Sequence, residues 1–124
     1  MAFYELQQFV PALANKELTP EQRCTEFLYA LGSNESFKGF RFLRKALLTL
    51  VQEPDLIDEL TTKVFPRVAE AYGTNCKNVD RNIRTCIKKM YEEKKPTFTC
   101  LFKGITEPPK VATLIATLFT ALKF

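Results

Sequence analysis

Histidine is absent from the 124 residues, and glycine is sparse at 4. Without histidine the common Ser/His and Cys/His nucleophile pairs cannot form. A structural zinc site would need all four thiolates, Cys24, Cys76, Cys86 and Cys100, from four scattered places, because none of them forms a CxxC pair. Glycine-rich phosphate loops are missing too: there is no P-loop and no GxGxxG. No stretch of about 18 apolar residues occurs, and the N-terminus MAFYELQQF lacks a basic region ahead of an apolar run. Few alternating β-rich runs are present. These absences argue against an enzyme, a metal site, a cofactor, a small-molecule substrate and a membrane span. They favour an all-α protein in a reducing cytoplasm, with its thiols buried and free.

What is present suffices for one domain, residues 1–124. Apolar residues make up 46% of the chain, enough for a real core. The net charge is +4, and its location says more than its size. Residues 75–95 hold seven cations against Asp80, Glu92 and Glu93, which equals the excess of the whole chain. A localised excess suits a polyanion partner or a solvated helix face.

The pattern predicts about six helices. Residues 1–18 form an N-terminal extension with a short helix to about Phe9 or Val10; Phe3, Leu6, Phe9, Val10 and Leu13 are its apolar positions and Pro11 is an interruption. It could pad the core or serve self-association. Thr19-Pro20-Glu21-Gln22 reads as a capping box opening a helix over about 20–31, closed by Gly32. A helix over about 38–52 turns Phe40, Leu43, Leu47, Leu50 and Val51 inward. Lys38, Arg41, Arg44 and Lys45 lie elsewhere on it, as solvent-facing charges or phosphate contacts. Pro54 starts a short helix with Leu56, Ile57 and Leu60 inward. Asp55, Asp58 and Glu59 suit its positive end better than acid–base chemistry. A short helix over about 96–102 ends at Gly104, and Pro108-Pro109 opens a last helix with a broad apolar face from Val111 to Leu122. That face needs a cover, either the core or a second copy.

The stretch 60–91 organises the rest. It reads as a helix-turn-helix: a first helix near Pro66 with Phe65, Val68, Ala69 and Tyr72 as core candidates, a turn at Gly73, a cap at Thr74 or Asn75, and a second helix over about 75–91. Val79, Ile83, Cys86, Ile87 and Met90 share one face of the second helix. Lys77, Arg81, Arg84 and Lys88 lie about 150° away, at roughly 100° per residue. One face can pack on a core while the other meets DNA in the major groove. An arginine there offers two hydrogen bonds to guanine, worth roughly 1–3 kcal/mol of discrimination. Arg81 and Arg84, one turn apart on that face, are the candidates for such base contacts. Asp80 can accept from a cytosine amino group or hold an arginine. Lys77, Lys88 and Lys89, with Asn78, Lys63 and Thr74, are the candidate phosphate contacts.

FKGFRFLRKAL, LTTKVFPRVAEAYGTN and VDRNIRTCI, which lie without gaps between Phe37 and about Met90, resemble the C-terminal DNA-binding domain of the sporulation master response regulators of spore-forming bacteria. The resemblance implies an all-α domain that binds short boxes of double-stranded DNA, often as tandem copies or a homodimer. It also implies that Asp80, Arg81 and Arg84 occupy the family's acidic-arginine pair and following arginine. Asp80 is one methylene shorter than the glutamate of that pattern. Only 36 residues precede the match, too few for a receiver domain, so control by receiver phosphorylation is not expected. The alternative is a protein-interaction module of the same fold that binds or sequesters another regulator.

Overall fold

Local caps mark the ends of several of the helices. The computed structural model describes residues 3–123, and among these the chain forms seven α-helices and no strand. They are α1 (Phe3–Phe9), α2 (Pro20–Ala30), α3 (Lys38–Gln52), α4 (Phe65–Ala71), α5 (Cys76–Glu93), α6 (Pro96–Leu101) and α7 (Val111–Lys123). The Thr19 hydroxyl accepts from the Gln22 amide at 3.1 Å, and the Gln22 side chain accepts from the Thr19 amide at 2.8 Å. This reciprocal pair starts α2 as its sequence predicts. At the other end, the Ser33 amide reaches the Leu28 carbonyl and the Gly32 amide the Tyr29 carbonyl, both at 3.0 Å, with Gly32 at φ +102°. That satisfies carbonyls a helix end otherwise strands.

The same closure recurs at the end of α4. The Thr74 amide donates to the Ala69 carbonyl at 2.9 Å and the Gly73 amide to Glu70 at 3.3 Å, with Gly73 at φ +64°. Asn75, not Thr74, caps α5: its side-chain oxygen accepts from the Asn78 amide at 2.8 Å. Two helices thus meet across a turn of four residues, Tyr72 to Asn75.

The buried side chains form one continuous apolar cluster with α3 at its centre. Phe40, Leu43, Ala46, Leu47 and Leu50 are fully buried on α3, which packs against α2, α5 and α7. Val79, Ile83, Cys86, Ile87 and Met90 of α5 are all buried, as the helical spacing predicts. Leu114, Ile115, Leu118, Phe119 and Leu122 of α7 are buried as well, against α3 and α5. The core of the same chain therefore covers that face. Leu6, Val10 and Leu13 are buried too, so the N-terminal segment completes the core, with α1 against α6.

Four details differ from the sequence reading. Residues Pro54–Glu59 form a 3-10 helix, and Leu60–Val64 a π-helical turn in which the Phe65 amide bonds back to the Leu60 carbonyl. Pro66 explains the widening: it has no amide to offer the Thr62 carbonyl and its ring needs room there. The last helix begins at Val111, two residues after Pro109, with the Lys110 carbonyl accepting from the Leu114 amide at 2.9 Å. Pro109 pushes Pro108 out of the helical region, so the proline pair precedes the helix instead of opening it. Phe9 stays 47% exposed, and Tyr72 40% exposed with its ring 5.4 Å from that of Phe42. Neither belongs to the core proper. Residues 1, 2 and 124, and the side chains of Phe3 and Tyr4, lie outside what the structure describes.

Candidate nucleic-acid interface

The position of α5 is set by how close α3 lies to it. A methyl group added to Gly39 would lie 2.2 Å from the Asn82 carbonyl oxygen and 2.9 Å from the Cys86 Cβ. The two helices touch at this crossing nearly backbone to backbone, so Gly39 registers α5 on the core. The Ser33 hydroxyl lies 3.0 Å from the Cys86 sulfur beside the same helix. Burial raises the Cys86 thiol above its ordinary value, and the Ser33 contact only partly offsets this. Cys24 on α2 is pushed up to about 12, chiefly by burial. Both thiols are thus protonated at neutral pH and chemically quiet, and all four cysteines are free.

Held this way, α5 turns its charged stripe outward. Lys77, Arg81, Arg84 and Lys88 are exposed, while the face opposite them is buried. The two arginines of the predicted base-reading set are each held by a neighbour. Arg84 forms an ion pair with Asp80 one turn earlier. As an exposed i,i+4 pair this adds only about 0.3–0.5 kcal/mol of stability, so orientation is its larger effect. Arg81 donates to the Asn78 side-chain oxygen at 2.6 Å. Asn78 is itself fixed. Its amide nitrogen donates to the Thr74 hydroxyl at 2.8 Å, and its oxygen also accepts from Asn82 at 3.0 Å.

The structure thus brings the exposed Arg81 and Arg84 together with a half-buried Asp80 on one face. It gives Asp80 to Arg84 rather than to the adjacent Arg81. Among the predicted phosphate contacts, Lys77, Lys88 and Lys89 are exposed and form no ion pair among the described residues. Lys89 follows Lys88 by one residue and so points about 100° further round the helix, away from the stripe's centre. Lys63 is paired with Glu59 at 3.4 Å. Thr74 and Asn78 have their side chains engaged in the turn and with Arg81, which makes them supports of the arginine. The helical spacing of 74, 78, 81 and 82 is the signal of this network in the sequence.

On α3, Arg44 is occupied structurally. It donates to the Thr25 hydroxyl at 3.1 Å, lies 3.9 Å from Glu21 and covers the Phe40 ring at 5.1 Å. Lys38, Arg41 and Lys45 remain exposed. Among the described residues no three His, Cys, Asp or Glu side chains cluster closely enough to hold a metal ion. No helix there is long and apolar enough to cross a membrane.

The helix pair α4 and α5, with its four-residue turn and outward basic stripe, is consistent with a helix-turn-helix. The family model described as "Sporulation initiation factor Spo0A C terminal" matches residues 24–122, from the first turns of α2 to the last turn of α7. That family comprises DNA-binding domains of sporulation transcription regulators and is regulatory rather than enzymatic. With residues 24–122 of the 124 matched, this all-α protein belongs to the sporulation initiation factor Spo0A C-terminal family.

Proposed function

We propose that this protein is a sequence-specific transcription regulator of the cytoplasm that reads double-stranded DNA with α5 in the major groove. The observation that carries the reading is the pre-set pair of arginines. Arg81 and Arg84 lie one turn apart on an exposed face, each already hydrogen-bonded to a neighbour on its own helix. A side chain held in place loses less rotamer freedom on binding, so more of its contact energy serves discrimination. Arg81 and Arg84 are the direct base readers. Asp80 keeps the Arg84 fork in register and reaches a base edge only where a cytosine amino group comes within its short span. Lys77 and Lys88 anchor phosphates on either side and supply affinity without sequence information. Lys89 and Lys63 stand further out, where they meet the backbone of a strand that wraps the helix pair. Residues 1–124 act as one DNA-binding unit. Two such units on adjacent boxes, as a homodimer or in tandem, would double the site.

The test is selection of bound duplexes from a random pool by the purified protein. A recovered common box supports the reading. Retention of unrelated duplexes with equal affinity and a steep salt dependence would reduce it to non-specific binding. Retention of no duplex at low salt would leave the alternative, a module of the same fold that binds a protein partner.

A further inference from the structure

A groove of about 490 Å³ runs between the middle of α5 and the chain leading into α7. Asp80, Arg84 and Lys88 form one wall, and Pro108, Pro109 and Lys110 the other, with Ile87 also against the groove. Three cations face one carboxylate, and that carboxylate is held by Arg84. Lys88 and Lys110 are exposed and make no ion pair among the described residues. The groove thus combines two unmatched ammonium groups with the apolar surface of two proline rings and Val111. A nucleic-acid strand matches that combination, an anionic phosphodiester joined to an apolar sugar face. The groove is also far larger than a lone inorganic anion needs. Moreover, Arg84 and Lys88 belong both to this groove and to the outward stripe of α5, so a strand lying along the stripe runs directly into it.

We propose that this groove holds the DNA backbone beside the recognition helix, with Lys110 on a phosphate and Pro108-Pro109 against the adjoining sugar. Lys110 thereby extends the interface beyond the helix pair to the far end of the chain. The proposal rests on α5 being the DNA-reading helix, and the experiment separates the two ideas. Affinity is measured by fluorescence anisotropy for the duplex recovered from the random pool and for a scrambled duplex of equal length, over about 50–200 mM salt. Lys110→Gln is expected to weaken both duplexes alike, by about fivefold near 0.15 M salt, and to flatten the log–log salt slope by about one. Lys110→Arg is expected to bind as the parent does. Lys103→Gln, which removes the same charge from a different groove, one lined by Glu5, Phe9 and Pro96, serves as the control for net charge.

If the parent protein prefers its duplex and Lys110→Gln changes affinity and slope no more than Lys103→Gln, the groove does not hold DNA and the α5 reading stands. A loss confined to the selected duplex overturns the phosphate assignment, because a phosphate contact carries no sequence information. A parent protein that binds neither duplex overturns both ideas.

Discussion

At the scale of single residues, the proposed reading divides the stripe on α5 into readers, anchors and supports, and each class predicts a different failure. Arg81→Ala and Arg84→Ala are expected to lose about 1–3 kcal/mol of preference for the selected box over a scrambled duplex. Lys88→Ala is expected to weaken both duplexes equally and reduce the salt slope by about one. Binding isotherms over a salt series separate the two patterns; an equal loss on both duplexes from Arg81→Ala would remove it from the readers. Asn78 is the support that matters most, because its side chain links Thr74, Asn82 and Arg81. Asn78→Ala is expected to lower sequence preference several-fold when Arg81 is present and to have no further effect in an Arg81→Ala background. Double-mutant cycles measure that coupling. An undiminished penalty in the Arg81→Ala background would mean that Asn78 acts on the helix and not through the arginine.

At the scale of helices, two glycines do different work. Gly73 is needed for its backbone, because its φ of +64° is costly for other residues, yet no atom lies within 4 Å of where a methyl would go. Gly39 is needed for the space it leaves, because the atom an added methyl would strike is the backbone carbonyl of Asn82. A carbonyl in a helix cannot swing aside as a side-chain tip can. Gly39→Ala therefore forces α3 and α5 apart. Its gain in helix propensity, about 1 kcal/mol, is smaller than the packing cost, about 1–3 kcal/mol or more. The expected result is a lower urea midpoint together with weaker DNA binding at temperatures where the variant remains folded. An unchanged midpoint would show that the crossing has slack. The contrast also shows why Gly39 gave no warning in the sequence. Nothing in FKGFRFLRKAL says which helix will cross there, and a glycine inside a helical pattern reads only as a weak spot.

At the scale of the whole molecule, the N-terminal segment is part of the core and not an appendage. Leu6 is fully buried and Val10 and Leu13 nearly so, against the α2 and α6 side of the cluster. The matched family region begins only at residue 24, so these side chains add a layer ahead of it. Leu6→Ala is expected to cost about 2–5 kcal/mol of stability by urea denaturation, comparable with Leu47→Ala at the centre of α3. A Leu6→Ala variant with the parent's midpoint would show that the segment detaches freely. Sequence-level patterning left two roles open for this segment because an apolar stripe shows only that something must cover it. It does not say whether the cover is the same chain or another. The same ambiguity applied to α7, and in both cases the chain covers its own stripe.

By itself the sequence determined the all-α class, most helix positions, the two faces of α5 and the identity of the exposed arginines. These depend on period, caps and prolines, which act within a few residues of one another and are written locally. Tertiary structure decided the rest. It set Gly39 against the backbone of α5 and placed Lys110 across a groove from Lys88, while side-chain rotamers on α5 gave Asp80 to Arg84 and Asn78 to Arg81. The side-chain pairings within α5 were open because several partners stand within one turn of each arginine, and rotamers choose among them. The contacts of Gly39 and Lys110 were open for a different reason. They join residues distant in the chain, and only the packing of the helices on one core brings those residues together.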